Sequence, residues 1–185
     1  MFEFATKTDL RAFAAKRSLQ EQSTLRKSTE TASVTSSAFL SHSSKDKELV
    51  TGAIILLRNH GAKVYIDEID PSMPPYTTSE TANLLRKRIT SCKRFVLLAT
   101  NNSQNSKWVP WELGVADGVK GLPPIALFPA SEKASDTEWA ESEYLGLYQK
   151  IVWGNTAQNE KMRWLVRNPE KRTASELREW LTGAD

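Results

Sequence analysis

Apolar positions along the chain fall into two alternating signatures. Short apolar runs at 38–41, 64–66, 95–99, 125–128 and 148–153 predict five strands. Phe95 to Ala99 is unbroken, the pattern of a strand covered on both faces, as in a parallel sheet. Between the runs, apolar residues recur at helical spacing. Leu49, Val50, Ala53, Ile54 and Leu57 form one such stripe, stopped by Gly61. Ala82, Leu85 and Ile89 form a second behind the capping pair Thr77 and Glu80, and 108–119 is almost wholly apolar. Strand and helix alternate, which predicts an α/β domain with a parallel sheet.

The expected architecture is flavodoxin-like: a five-stranded parallel sheet in the order 2-1-3-4-5, flanked by helices, with an extra N-terminal helix. That extra helix spans 2–27, with Thr6 and Asp9 as a capping box and Leu10, Phe13 and Ala14 as a thin apolar stripe. The stripe is too narrow to make a core alone, so it packs on the main domain or on a second copy of itself. The segment 28–37 is small, polar and aperiodic, and reads as a linker. This divides the chain into an N-terminal helix (1–28), a linker (29–37) and a main domain (38–185). Two C-terminal helices are expected at 159–167 and 174–181, the second capped by Thr173 and Glu176. Between 67 and 77 three prolines prevent regular pairing and predict a loop.

Composition narrows the classes. Hydrophobic content of 39% and charged content of 25% are ordinary for a globular protein, and 185 residues leave room for one domain and an appendage. A net charge of +3 is too small to argue for nucleic acid, despite a pI near 9.0. One cysteine, Cys92, cannot form an internal disulfide, and with only His42 and His60 beside it a structural zinc site is not expected. No apolar run is long enough to span a bilayer. A reducing, cytoplasmic setting fits.

Glu112 stands out because it interrupts an apolar stretch containing Trp108, Trp111, Leu113 and Val115. A carboxylate in the first turns of a helix is favoured by the helix dipole, or can simply face solvent. The fold suggests another role. In open α/β sheets, ligands bind beyond the carboxyl ends of the strands where strand order reverses. Here that crevice lies between the turn 41–46, carrying Ser41, His42, Lys45 and Asp46, and the loop 101–107, with Glu112 on the following helix. No GxxxxGK, GxGxxG or GxSxG is present, which argues against a phosphate loop, a dehydrogenase dinucleotide site or a hydrolase elbow. Ser41 and Thr100 end strands one and three, where a phosphorylation receiver would need acids.

Three stretches, AFLSHSSKD (38–46), YIDEIDPSMPPYTTSETA (65–82) and RFVLLAT with SKWVPWELGVADG (94–118), taken together and in this order, resemble a bacterial TIR (Toll/interleukin-1 receptor) domain, with Thoeris-type antiphage enzymes most similar. The resemblance implies cleavage of the nicotinamide–ribose bond of NAD+, giving nicotinamide and ADP-ribose, a cyclic isomer or a conjugate. It implies Glu112 as the catalytic glutamate, Trp108 as its WxxxE partner, and His42, Asp70 and Tyr76 as substrate-side residues. It further implies NAD+ as substrate with no cofactor or metal, assembly through TIR surfaces, a separate effector that senses the product, and no nucleic-acid or membrane partner. A non-enzymatic TIR–TIR adaptor or host-signalling mimic, and a nucleotide N-glycosidase, are the alternatives.

Overall fold

The computed structural model describes residues 2–27, 37–67, 79–133, 143–156 and 159–183. The five expected strands are β3 (Ser37–Ser41), β4 (Lys63–Tyr65), β5 (Arg94–Ala99), β6 (Ile125–Ser131) and β7 (Gln149–Thr156). They lie side by side as β4-β3-β5-β6-β7, every neighbouring pair parallel. This is the expected order. β5 and β6 are buried almost throughout, which is why their sequences carry no alternation.

Helices cover both faces. On one face α3 (Lys47–Asn59) buries Leu49, Val50, Ala53, Ile54 and Leu57, the stripe read from the sequence. On the other, α4 (Ser79–Ser91) buries Leu85 and Ile89, and α6 (Val109–Lys120) buries Val109, Leu113 and Ala116. α6 ends at Gly121, whose φ of 66° favours glycine. The two faces carry separate apolar clusters, one built around α3 and the other around α4 and α6. Among the described residues no helix is long and apolar enough to cross a membrane.

The ends of the chain depart from expectation. The N-terminal segment is not one helix. β1 (Phe2–Glu3) pairs with β7, β2 (Ala5–Thr6) pairs with β6, and two helices follow, α1 (Lys7–Ala15) and α2 (Leu19–Lys27). The Thr6–Asp9 capping box forms as read, but it starts the helix at Lys7, so the residues before it are free to join the sheet. α1 packs on α3 with Leu10 fully buried. A Cβ at Gly52 would lie 2.0 Å from the Leu10 carbonyl oxygen, so only glycine permits this approach. Of the expected linker, 28–37, Ser37 opens β3 and 28–36 lie outside the described residues.

At the other end, the expected helix at 159–167 is a strand, β8 (Asn159–Asn168), antiparallel to β7, and β9 (Thr173–Glu176) pairs with β8 in turn. Among the described residues the sheet therefore has nine strands rather than five. Trp164 and Val166 alternate with Leu165, and this period of two buries them in clusters on opposite faces. The edge of β7 accepts that pairing, whereas a helix would have left it open. Thr173 and Glu176 do not form a cap. Glu176 precedes α7 (Leu177–Thr182) without a side-chain capping bond and pairs with Arg163 instead.

Candidate active site

The chain reverses direction of sheet growth at β3 and β5, and their carboxyl ends open the expected crevice. Two features of the sequence set α6 above it. Ser106 accepts from the backbone N–H groups of Trp108 and Val109, both at 3.3 Å, and so caps the helix from outside. Pro110 occupies the first turn, where its missing N–H costs nothing. The Glu112 N–H then donates to the Trp108 carbonyl at 2.8 Å, so the two residues of the WxxxE spacing stack one helical turn apart.

Glu112 is 3% exposed. Its Oε2 accepts from the Ser41 hydroxyl, itself fully buried at the end of β3, at 2.5 Å. Burial pushes the Glu112 carboxyl well above the ordinary carboxylate range. The charge of Asp67, in the turn after β4, pushes the same way, and the Ser41 hydrogen bond opposes both. Burial and Asp67 thus favour the protonated acid, and an arriving positive charge would favour the carboxylate.

Trp108 and Trp111 pack on the apolar cluster of the α6 face, edge to face with ring centroids 5.2 Å apart. The Arg86 guanidinium of α4 lies 5.3 Å from the Trp111 ring centroid. His42 is buried beside Ser41, and its Nδ1–H donates to the Leu40 carbonyl at 3.3 Å.

Asp46 sits differently from the expectation that it binds ligand. It is 3% exposed, and it accepts from the Thr100 hydroxyl at 2.6 Å and from Asn102 Nδ2 at 2.7 Å. It thus ties the turn after β3 to the start of α5 (Asn101–Gln104), a helical turn where the sequence suggested only a loop. Thr100 and Ser103 cap that turn reciprocally, a signal present in the sequence but hidden among polar neighbours. Lys45 is exposed on the outer side of the same turn, beside Lys7 and Arg11 of α1 in a cleft of about 260 Å³. Asp70 and Tyr76 lie outside the described residues. Asp67 was not singled out from the sequence. Its position at the end of strand two, on the same edge of the sheet, was the available signal.

Among the described residues, no three acids, histidines or cysteines cluster to hold a metal ion. The end of β3 and the start of α6 thus bring together a buried acid, a hydroxyl and an imidazole, a set suited to a cationic or polyhydroxylated ligand.

Comparison with known proteins bears on that crevice. The sequence profile described as "TIR domain" matches residues 38–164. The chain belongs to the TIR-domain family. Glu112, Ser41, His42 and Trp108 all fall inside the matched TIR region, whereas β1, β2, α1, α2, β9 and α7 lie wholly outside it. A curated relative, "Probable 3' cyclic ADP-D-ribose synthase ThsB'" of Bacillus cereus (strain MSX-D12), is 33% identical over 147 residues, covering 70% of this chain and 75% of its own length.

Proposed function

We propose that this TIR protein cleaves NAD+ at the bond between nicotinamide and ribose, in a pathway of bacterial antiphage defence of the Thoeris type. The observation that carries this reading is the sheltered Glu112 carboxyl, held by Ser41 at the mouth of the sheet. The name of the Bacillus cereus relative, a cyclic ADP-D-ribose synthase, supports the substrate and favours a cyclic product.

The chemistry follows from charge. The C1′–N bond breaks with both electrons leaving on nicotinamide, which becomes neutral, while positive charge develops on the ribose ring. A carboxylate beside that ring stabilises the charge most strongly where water is excluded. Burial opposes ionisation of Glu112. The pyridinium of bound NAD+ reverses that balance and draws the carboxylate form. Ser41 then orients the ionised oxygen. The sugar carbon is captured by a hydroxyl of the same molecule, giving a cyclic ADP-ribose, or by water, giving ADP-ribose. In either case the proton of the nucleophile is lost to the Glu112 carboxylate or to solvent. The leaving group already carries the positive charge, so the step calls for no metal and no cofactor.

Assembly through TIR surfaces and an effector that reads the product complete the proposed pathway. The decisive experiment incubates the protein, in the oligomeric form it adopts, with NAD+ and separately with CMP, and follows products by mass spectrometry. Release of nicotinamide from NAD+, reduced about 100-fold or more in Glu112→Gln, is expected. Equal turnover in Glu112→Gln overturns the reading. Base release from CMP alone replaces it with the N-glycosidase, and binding to other TIR domains without turnover of either nucleotide replaces it with the adaptor.

A further inference from the structure

A second cleft, of about 460 Å³, opens at the far side of the sheet. Its floor is a row of three residues set side by side on adjacent strands. Glu3 faces Trp153 in the β1–β7 pair, and Trp153 faces Trp164 in the β7–β8 pair. Residues directly opposite one another in antiparallel strands project from the same face. One carboxylate and two indoles therefore share a surface, with the indole centroids 5.4 Å apart. α1 crosses above this row and contributes Phe13, 6.4 Å from Trp164 and edge-on to it, together with Asp9.

This cleft is separate from the Glu112 crevice. β5 and β6 stand between β3 and β7 in the sheet. Phe13 and Trp164 pack on the cluster of the α3 face, whereas Trp108 and Trp111 pack on that of the α6 face. Glu3, Asp9 and Phe13 lie outside the region matched by the TIR profile, and six of the eight residues lining the cleft belong to the N-terminal extension.

Its chemistry is one-sided. Among the described residues that line it, Glu3 and Asp9 are acidic and none is lysine or arginine. Asp9 Oδ2 accepts from the N–H and hydroxyl of Thr6, neutral donors that leave its charge in place. Glu3 is exposed. The two indoles are tilted 57° to each other, so a ligand meets a ring face rather than a parallel-walled slot, and ring faces together with carboxylates select a positive one. The protein already satisfies this preference once nearby, because Lys16 Nζ lies 5.6 Å from the Phe13 ring centroid. The volume falls in the range of small-molecule sites.

We infer that this cleft binds a small planar organic cation of the N-alkylpyridinium type. Flatness and positive charge are both needed, which excludes a neutral ring of the same shape. The inference does not depend on the reaction assigned to Glu112.

The test titrates the whole chain calorimetrically with 1-methylnicotinamide and with neutral nicotinamide. The cation is expected to bind about tenfold or more tightly than its neutral counterpart. Glu3→Gln, at an exposed position, should weaken the cation about three- to tenfold, and Trp153→Leu should remove saturable binding. Glu112→Gln should leave the cation's affinity unchanged. Circular dichroism checks that Trp153→Leu is folded, and Glu3→Gln carries the test if it is not. The inference is overturned by absence of saturable cation binding, by equal affinity for nicotinamide, or by binding that is lost in Glu112→Gln and kept in Glu3→Gln.

Discussion

The Ser41 hydroxyl donates to Glu112 Oε2 across 2.5 Å, although the two residues are 71 positions apart in the chain. The bond joins the end of β3 to the first turn of α6. It is also the one interaction named above that favours ionisation of Glu112, against burial and against Asp67. In Ser41→Ala that support is lost and the carboxyl rises further. The acid limb of the pH profile of kcat/KM for NAD+ should move to higher pH, with the rate at neutral pH down about tenfold. An unmoved limb would show that the hydroxyl serves packing alone.

Stability should respond to the same carboxyl. Its folded pKa lies above the ordinary value of 4.5, so its stabilising contribution is fully present below 4.5 and is lost as pH rises through the folded value. Glu112→Gln removes the ionisable group. The variant should be more stable than the parent by about 0.5–2 kcal/mol near pH 7.5, and the gap should close toward pH 4.5. Thermal melts across that range measure it, and a variant less stable at pH 7.5 would contradict the assigned burial.

Asp46 is a structural tie between the two loops that border the crevice. Asp46→Ala leaves the fully buried Thr100 hydroxyl without its carboxylate acceptor. A loss of about 2–4 kcal/mol is expected in urea unfolding, because a charge-assisted hydrogen bond and a buried polar group are both affected. Asp46→Asn keeps one acceptor oxygen and should recover part of that loss.

Gly52 decides whether the N-terminal segment stays seated. In Gly52→Ala the new methyl would meet the Leu10 backbone, so α1 must shift away from α3. Limited proteolysis should cut within residues 1–27 far faster than in the parent. Leu10→Ala should show the same direction of change, with about 2–5 kcal/mol lost from a fully buried position. If both variants resist the protease like the parent, the segment is held by its strand pairings instead.

Much of this molecule was legible from local pattern. The unbroken run Phe95–Ala99 identified the central strand because burial on both faces removes the need for alternation. The stripe from Leu49 to Leu57 identified α3 for the corresponding reason on a helix. Glu112 was conspicuous because a carboxylate among apolar neighbours contradicts the pattern around it. The two ends misled. Apolar and basic residues from 161 to 167 fit a helix about as well as a strand, and the open edge of β7 resolved the ambiguity. The residues before Lys7 looked helical until their pairing with β6 and β7 was seen. Asp46 stood out as an acid at the crevice, and sequence cannot show that Thr100 and Asn102 also bond to its oxygens.

By itself, the sequence determined which segments form the parallel core, the loops at its carboxyl edge and the acid that stands there, since each depends on spacing within a short window. Tertiary structure alone decided that Ser41 meets Glu112, that Asp46 turns inward, and that Glu3, Trp153 and Trp164 line up in one row. Those contacts link residues distant in the chain, and only strand register and helix placement bring such residues within reach.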